Sequence, residues 1–476
     1  MLEFFRSTLP TRLVLLLLLA LGLRLPLLWL GEVPLSLAEL RGWVVGEKLH
    51  AGALLYRDVY DHTAPLAAAV YGLLDLALPR SWFLYRLLAL VLVLAQGIRL
   101  NQVLNRYNVH PERGYLAALT YVLLASVSAE LDTLSPLLIG QTFAVFALSA
   151  LLPTTREGYD SSRLFRAGFL LGVAALCFLP LAWLLLLGLF AVISFAANTF
   201  RSFLLLLCGF AFPYAAVATF FLYTDALPQF RQLHLEPMLN WAAAADALPA
   251  PLQLGLMALP GLVVALALLR MFTSSLGLVF QVKFQQLMLV WLAVALVMGA
   301  ALRGLAPGLL AVLLAPASYF CLFLWQRTKR LWIAEVLLLA VIGAVVAVRY
   351  RAVLPLQAVL HLPKEADYAA KSDPRYQVLR GQQVLVLGLN RRIYVDNYAG
   401  TPYVDWALAR RDFRHLNEYT TVVRLAENLP TPPTYVIDET GLLPELRYKL
   451  PHIFGRYERT GTPRVFRLGP PTKVKL

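Results

Sequence analysis

Most of the residues that could do chemistry lie in one polar segment of an otherwise apolar chain, residues 31–64. The candidates in this segment are Glu39, Tyr56, Arg57, Asp58, Asp61 and His62. A carboxylate can take up a proton from a reacting group, and cationic side chains can stabilise a nearby anion. These residue types therefore suit acid–base chemistry on an anionic substrate, and the remaining elements must hold them in place.

The composition predicts that those elements lie in a membrane. The chain has 476 residues, of which 59% are hydrophobic and 15% are charged, whereas soluble domains are about 45–50% apolar and about 25% charged. A soluble enzyme, a disordered protein and a fibrous repeat are excluded on this ground. The net charge of +14 fits the excess of Lys and Arg in cytoplasmic loops of membrane proteins, so no nucleic-acid partner is expected.

The predicted fold class is an all-α polytopic membrane bundle. A helix that crosses a bilayer needs about 20 mostly apolar residues. Windows of this kind predict eleven crossings, at residues 13–30, 83–104, 114–130, 135–152, 167–181, 182–197, 203–223, 251–270, 286–302, 307–325 and 331–349. The two segments on either side of Pro180 form either one long kinked helix or two short helices.

The basic loops predict the orientation of the chain. With eleven crossings, the loops rich in Arg and Lys all fall on the same side of the membrane. That side is the cytoplasm, because positively charged loops remain there. The N-terminus is then inside, and residues 31–64 and the C-terminus are outside. The expected location is a bacterial inner membrane, with the C-terminal domain in the periplasm.

From about residue 351 the composition changes to that of a small soluble domain. Apolar runs predict strands at 384–388, 393–395, 435–438 and 464–467, and helical spacing predicts helices at 405–427 and 441–450. Such an alternation is typical of an α/β domain. The expected domains are thus a transmembrane helical domain, 1–350, whose outer loop 31–80 bears juxtamembrane helices, and an α/β domain, 351–476.

Several motifs of the first outer loop resemble those of the GT-C superfamily, which contains the protein mannosyltransferases and the aminoarabinose transferases of lipid A. The motifs are Arg24-Leu25-Pro26, Glu39, Gly52, Tyr56-Arg57-Asp58, Asp61-His62 and Pro65-Leu66. The many helices and the C-terminal α/β domain extend the resemblance. The chain also resembles a group of uncharacterised polytopic proteins from the Bacteroidetes, which could share that scaffold.

The resemblance implies a transferase that uses a polyprenyl-phosphate-linked sugar, with a glycan, a lipid or a protein as acceptor. Glu39 would be the base, while Arg57 and His62 would face the phosphate beside Tyr56. Asp58 and Asp61 would orient these groups or bind a divalent metal as the one possible cofactor. A possible second acidic site is formed by Glu130 and Asp132.

Two other interpretations remain open. The family usually has an Asp directly before its Glu and a Lys before its proline pair, whereas this chain has Ala38 before Glu39, and Thr63 and Ala64 before Pro65. A catalytically inactive protein that serves the assembly of the cell envelope is therefore one alternative, and a transporter is another. In either case Glu39 would cap its helix, and the charged residues of the loop would pair with one another.

Overall fold

The structure is a computed structural model that describes residues 2–29, 35–110, 112–152, 161–195, 199–236, 250–273, 278–301, 310–326, 330–354, 356 and 369–470. Its internal contacts divide the chain into two compact units. The first unit comprises Met1–Val33, Trp82–Phe220 and Met238–Tyr368, and the second comprises Pro34–Ser81, Phe221–Pro237 and Ala369–Leu476. The expected domain boundary at residue 350 stays a prediction.

The described chain is mainly helical. Its helices are α1 (Leu2–Phe5), α2 (Thr11–Trp29), α3 (Leu37–His50), α4 (Pro65–Ala77), α5 (Trp82–Arg106), α6 (Leu116–Ala125), α7 (Pro136–Leu151), α8 (Ser161–Cys177), α9 (Leu185–Phe195), α10 (Phe200–Tyr223), α11 (Leu227–Phe230), α12 (Ala250–Phe272), α13 (Val279–Ala301), α14 (Leu310–Gln326), α15 (Leu331–Arg349), α16 (Trp406–Arg414), α17 (Tyr419–Glu427), α18 (Leu443–Lys449) and α19 (Pro451–Phe454).

Five helices in the described part of the chain are long and apolar enough to cross a membrane. They are α5, α10, residues Leu252–Phe272 of α12, α13 and α15. Shorter apolar segments, among them α6, α7 and most of α14, also occur. A helical protein with apolar candidate spans is therefore confirmed, and it is consistent with a lipid bilayer as its surroundings. The count of eleven crossings is not confirmed and stays a prediction.

The chain around Pro180 forms two helices. Between α8 and α9 it adopts a 3-10 helix, Leu179–Leu184. Proline has no backbone N–H to donate to an α-helical ladder, so a helix running through this point would lose a hydrogen bond. Of the two arrangements left open by the sequence, the structure has the pair of short helices.

Helices α8 and α10 of the first unit approach each other closely at two glycines. A Cβ atom added to Gly168 would lie 2.1 Å from the carbonyl oxygen of Leu206, and one added to Gly172 would lie 2.4 Å from that of Phe210. Small residues four positions apart lie on one helix face and let two backbones come together, as is common between helices in membranes. The glycines therefore set the packing of this pair.

The second unit contains a helix pair whose connection is fixed by Arg80. Helix α3 packs on α4, where a Cβ at Gly46 would meet the carbonyl oxygen of Tyr71 at 2.6 Å. After α4, the Nη2 atom of Arg80 lies 2.8 Å from Oε2 of Glu47 and 2.7 Å from the carbonyl oxygen of Asn397. One arginine thus fastens the helix pair to the C-terminal residues of the same unit.

The C-terminal residues form a five-stranded mixed sheet, which confirms the predicted small sheet. Its strands are β1 (Gln383–Leu387), β2 (Tyr398–Ala399), β3 (Tyr435–Asp438), β4 (Tyr457–Arg459) and β5 (Val465–Leu468), in the order β2-β1-β3-β5-β4. Strand β1 pairs in parallel with β2 and β3, and the remaining pairs are antiparallel. Buried side chains of β1, β3, α16 and α18 form the core.

Two details of this region differ from the sequence prediction. Residues 393–395 are not a strand but belong to a 3-10 helix, Arg391–Val395, because the side chain of Asn390 accepts a hydrogen bond from the Arg392 N–H and starts a helical turn. The predicted helix 405–427 is two helices, α16 and α17, which are separated by a polar break at 415–418. Asparagine in that break favours turns over helix interiors.

Candidate functional site

The motif loop between α3 and α4 is held in a defined conformation by its own residues. Gly52 has a positive φ of 86°, and Tyr56 has a φ of 71°. The Oδ2 atom of Asp58 accepts a hydrogen bond from the Leu54 N–H at 2.8 Å, and the buried hydroxyl of Tyr56 donates to the carbonyl oxygen of Thr63 at 2.8 Å. Hydrogen bonds between residues of the loop therefore fix its conformation.

Tyr56 belongs to an aromatic core and not to an exposed binding surface. Its ring centroid lies 5.3 Å from that of Phe221, 5.9 Å from that of Phe230 and 6.3 Å from that of His234. Tyr56 is fully buried. Burial in the same core lowers the pKa of His234 to about 4, because a charged imidazole is poorly solvated there.

Arg57 and Asp58 form a local, exposed ion pair. The Nε and Nη2 atoms of Arg57 each lie 3.0 Å from one carboxylate oxygen of Asp58. Partial burial would raise the pKa of Asp58, but the hydrogen bonds from Arg57 and from the Leu54 N–H lower it below its ordinary value. Half of the Arg57 side chain remains exposed, so this cation can still meet an anion from solution.

A buried charge cluster joins the loop to α3 and to the C-terminal residues. We call it the Arg41 cluster; its members are Arg41, Asp61, His62, Arg391 and Asp405, all of the second unit. The Nη1 atom of Arg41 lies 2.6 Å from Nε2 of His62, and its Nε atom lies 3.5 Å from Oδ2 of Asp61. Asp405 meets His62 Nδ1 at 3.2 Å and Arg391 Nη2 at 2.6 Å.

The hydrogen bonds of His62 follow from its neighbours. An arginine only donates hydrogen bonds, so Nε2 of His62 accepts from Arg41, and Nδ1 carries the proton that it donates to Asp405. Asp61 is fully buried, and its Oδ1 atom accepts from both the backbone N–H and the hydroxyl of Thr63. Only His62, with 37% of its side chain exposed, faces solvent to a large extent.

Asp405 is the anchor of the cluster. It is the N-cap residue of α16, where its Oδ1 atom accepts from the Ala407 N–H at 2.9 Å. Burial would raise its pKa, but the hydrogen bond from His62 and the charges of Arg391 and Arg41 hold the pKa far below its ordinary value. A carboxylate this acidic is a weak base, so Asp405 serves as a permanent negative charge.

The backbone reinforces this anchoring. The Tyr60 N–H donates to the carbonyl oxygen of Pro402 at 2.8 Å, and the Asp405 N–H approaches the carbonyl oxygen of Tyr60 at 3.3 Å. The rings of Tyr60 and Tyr403 are 5.0 Å apart, and Asn428 donates to both of their hydroxyl groups. The motif loop is therefore an integral part of the C-terminal fold within the second unit.

The donor set of the cluster does not fit a resident metal ion. Asp61, His62 and Asp405 offer ligand atoms within 4.8 Å of one another. However, Arg41 and Arg391 already balance the two carboxylates, and Arg41 occupies Nε2 of His62. A divalent cation would have to displace an arginine and lie beside the other one, which costs Coulomb energy. The expected metal is therefore not assigned to these residues.

Glu39 is buried in the first turn of α3. Ser36 is the N-cap residue, and its hydroxyl accepts a hydrogen bond from the Glu39 N–H at 3.0 Å. The spacing Ser36 to Glu39 is that of a capping box, and a carboxylate here also interacts favourably with the helix dipole. The base predicted from the sequence thus lies in the first turn of the helix that carries Arg41.

The second acidic pair lies in the first unit, and its two members differ. Asp132 is buried between two arginines, with its Oδ1 atom 3.2 Å from Nε of Arg24 and its Oδ2 atom 2.5 Å from Nη2 of Arg349. Arg349 also donates to the carbonyl oxygens of Leu23 and Ser126. Glu130, two residues earlier in the same 3-10 turn, is half-buried.

Four functional or structural partners were not found from the sequence: Arg41, Arg349, Arg391 and Asp405. Asp405 lies 364 residues from Arg41 along the chain, and no local spacing connects them. The one available signal was Arg349, a charge at the end of an apolar helix, since such residues usually face a partner inside the protein. Comparisons with protein-family models, with curated proteins and with solved structures gave no match.

Proposed function

We propose that the protein is an integral membrane glycosyltransferase of the GT-C type, which moves a sugar from a polyprenyl phosphate to an acceptor at the outer face of a bacterial inner membrane. The motif resemblance of the first outer loop suggests this class. The apolar candidate spans are consistent with a donor whose lipid chain is dissolved in the bilayer.

The contact between Arg41 and His62 is the observation that carries the proposal. Arg41 follows Glu39 by two residues in α3, and His62 belongs to the Asp-His motif 21 residues after Arg41. The two segments are the parts of the loop that the resemblance assigns to one site. Their side chains meet at 2.6 Å, so a ligand that contacts His62 also lies close to α3, the helix that contains Glu39.

The cationic groups of the loop support binding of a phosphate. Arg41 and Arg391 retain 13% and 11% of their side-chain exposure beside the more open His62. Arg57 supplies a further exposed guanidinium group on the same loop. Arginine presents several N–H groups in a plane that matches the oxygens of a phosphate.

Glu39 is the proposed base because the motif resemblance assigns that role to it, and the other carboxylates of the site are less suitable. Asp58 and Asp405 have lowered pKa values from their arginine and histidine neighbours, and Asp61 accepts two hydrogen bonds from Thr63. In the proposed reaction Glu39 takes the proton of an acceptor hydroxyl group. The hydroxyl oxygen forms the new bond to the sugar with inversion, and the polyprenyl phosphate leaves with the electrons of the broken bond.

The proposal is tested by complementing cells that lack the gene and measuring their envelope glycans by mass spectrometry. Glu39→Gln is expected to abolish one glycan while the protein is still produced and inserted. Glu445→Gln is the matched control, because Glu445 is an exposed glutamate in the first turn of α18. Normal glycans with Glu39→Gln would remove Glu39 from the mechanism.

A second candidate function is an inactive GT-C scaffold that assists assembly of the cell envelope. This function is favoured by the contacts within the Arg41 cluster. Asp405 already binds Arg41, Arg391 and His62, so the cationic groups of the cluster already have an anionic partner. In this case deletion of the gene would leave all glycan structures intact and would reduce the amount of an assembled envelope component. Glu39→Gln would then restore that component fully.

A further inference from the structure

A cavity of about 340 Å³ with several polar side chains in its wall lies among helices of the first unit. Most of its wall is the last part of α5, from Ile98 to Arg106, followed by Tyr107, and α2 and α7 contribute Leu13 and Ser149. The polar lining residues include Arg99, Asn101, Gln102, Asn105 and Arg106. None of the described lining residues is acidic, so the two arginines make the cavity electropositive.

Arg99 is held in position at the cavity wall. Its Nη2 atom donates to the hydroxyl of Ser149 at 2.6 Å, and its guanidinium carbon lies 5.3 Å from the ring centroid of Phe146. Its Nε–H is buried and has no hydrogen-bond acceptor among the described residues. A buried donor without an acceptor is costly, and an anion in the cavity would supply one.

Arg106 adds a second cation, seven residues further along α5. This spacing is about two turns of an α-helix, so both arginines lie on the same face. Arg106 is exposed, and its side chain forms no hydrogen bond or ion pair with any other residue that the structure describes. Its guanidinium group is therefore available to a ligand.

A third arginine supports the cavity from α8. The Nη2 atom of Arg163 donates to the hydroxyl of Tyr107 at 3.1 Å and to the carbonyl oxygen of Ser149 at 2.7 Å. Both acceptors belong to residues of the cavity wall. The positive charge of Arg163 thus adds to the potential of the cavity and favours an anionic occupant.

We infer that this cavity binds the phosphate group of an anionic phospholipid and that Arg99 and Arg106 are the residues that contact this phosphate. Basic pockets between membrane helices on the cytoplasmic side bind such headgroups, and the basic loops predict that this end of α5 lies in the cytoplasm. The volume lies in the range of small-ligand pockets. The site is separate from the second unit and does not depend on the proposed transferase activity.

The test is thermal unfolding of the purified full-length protein in detergent with three probes: short-chain phosphatidylglycerol, short-chain phosphatidylcholine and inorganic phosphate. A ligand that binds only the folded protein raises the unfolding temperature. We expect phosphatidylglycerol to raise it by several degrees and phosphatidylcholine to leave it unchanged. Arg106→Gln should abolish this rise without changing the unfolding temperature of the lipid-free protein, and Arg99→Lys should weaken it.

Arg201→Gln is the matched control, since Arg201 is exposed near the start of α10 and does not line the cavity. It should keep the full response to phosphatidylglycerol. Equal loss of the response in Arg201→Gln and Arg106→Gln would overturn the inference and indicate a diffuse surface charge. A different result would be that inorganic phosphate raises the unfolding temperature as much as phosphatidylglycerol does and that Arg106→Gln abolishes that rise too. This result would overturn the inference of a lipid and identify free phosphate as the ligand.

Discussion

Arg41 donates a hydrogen bond to His62, with 2.6 Å between Nη1 and Nε2. This contact links the first two turns of α3 to the motif loop, and it fixes the tautomer of His62 so that Nδ1 faces Asp405. The motif loop is therefore held by residues from two other parts of the second unit.

The first prediction concerns the anchor of the Arg41 cluster. Asp405→Asn keeps a good N-cap residue for α16 but leaves Arg41 and Arg391 without their shared anion. Removal of one partner of a buried ion pair costs about 3–5 kcal/mol. Amide hydrogen exchange in residues 54–64 should consequently become faster by about two orders of magnitude or more.

Asp373→Asn is the control for this prediction. Asp373 is also an N-cap residue paired with an arginine, but Arg375 has 79% of its side chain exposed. Its replacement should leave exchange in the motif loop unchanged. Unchanged exchange in Asp405→Asn as well would show that the cluster does not hold the loop.

The second prediction concerns the buried charges of the first unit. Asp132→Asn would leave Arg24 and Arg349 close together without a counter-charge, and we expect a loss of about 3–5 kcal/mol of stability. Size-exclusion chromatography after mild heating should show far less folded protein. Glu130→Gln, two residues away and half-buried, is the control and should behave like the wild type. If Asp132→Asn yields as much folded protein as the wild type, Asp132 does not stabilise the two arginines.

The third prediction compares two glycines in helices. Gly168→Ala should lower the unfolding temperature, because its Cβ would overlap the carbonyl oxygen of Leu206. Gly22→Ala in α2 has open space around its Cβ and should stabilise the protein by about 0.5–1 kcal/mol, since alanine loses less backbone entropy. The two changes in unfolding temperature, which should have opposite signs, can be measured by intrinsic fluorescence during heating. A stabilising Gly168→Ala would rule out the close packing of α8 and α10.

The fourth prediction concerns pH. His234 has a pKa of about 4 in the folded protein and about 6.5 in an unfolded chain, so between these values the unfolded chain binds the extra proton. Stability should therefore fall as the pH is lowered from about 6.5 to 4, by at most about 1.4 kcal/mol per pH unit. His234→Gln should remove this slope, whereas His452→Gln, at an exposed position, should retain it. A slope unchanged in His234→Gln would assign it to other groups.

The sequence predicts local elements better than the contacts that assemble them. Strands β1 and β3 were expected from apolar runs such as Val384 to Leu387, which are buried in the sheet. Residues 393–395 have similar apolar character, but the cap at Asn390 makes them helical. A capping side chain three residues upstream therefore outweighed the strand preference.

The candidate site shows the same limit. Glu39, Asp61 and His62 could be singled out because they lie in one short polar segment. Asp405, which contacts His62, and Arg391, which contacts Asp405, are more than 300 residues away along the chain, where no spacing rule applies. The motif resemblance predicts Tyr56 beside the phosphate of the donor, yet its ring packs in a core completed by Phe221 and Phe230.

The most direct test of the proposed function is a single-turnover assay in lipid nanodiscs with a panel of polyprenyl-phosphate sugars and candidate acceptors. The wild type and Glu445→Gln should release polyprenyl phosphate in step with sugar transfer, and Glu39→Gln should slow both by about 10²–10⁴-fold, as expected for loss of a general base. Turnover of Glu39→Gln at the wild-type rate, or consumption of none of the donors by the folded wild-type protein, would contradict the proposal.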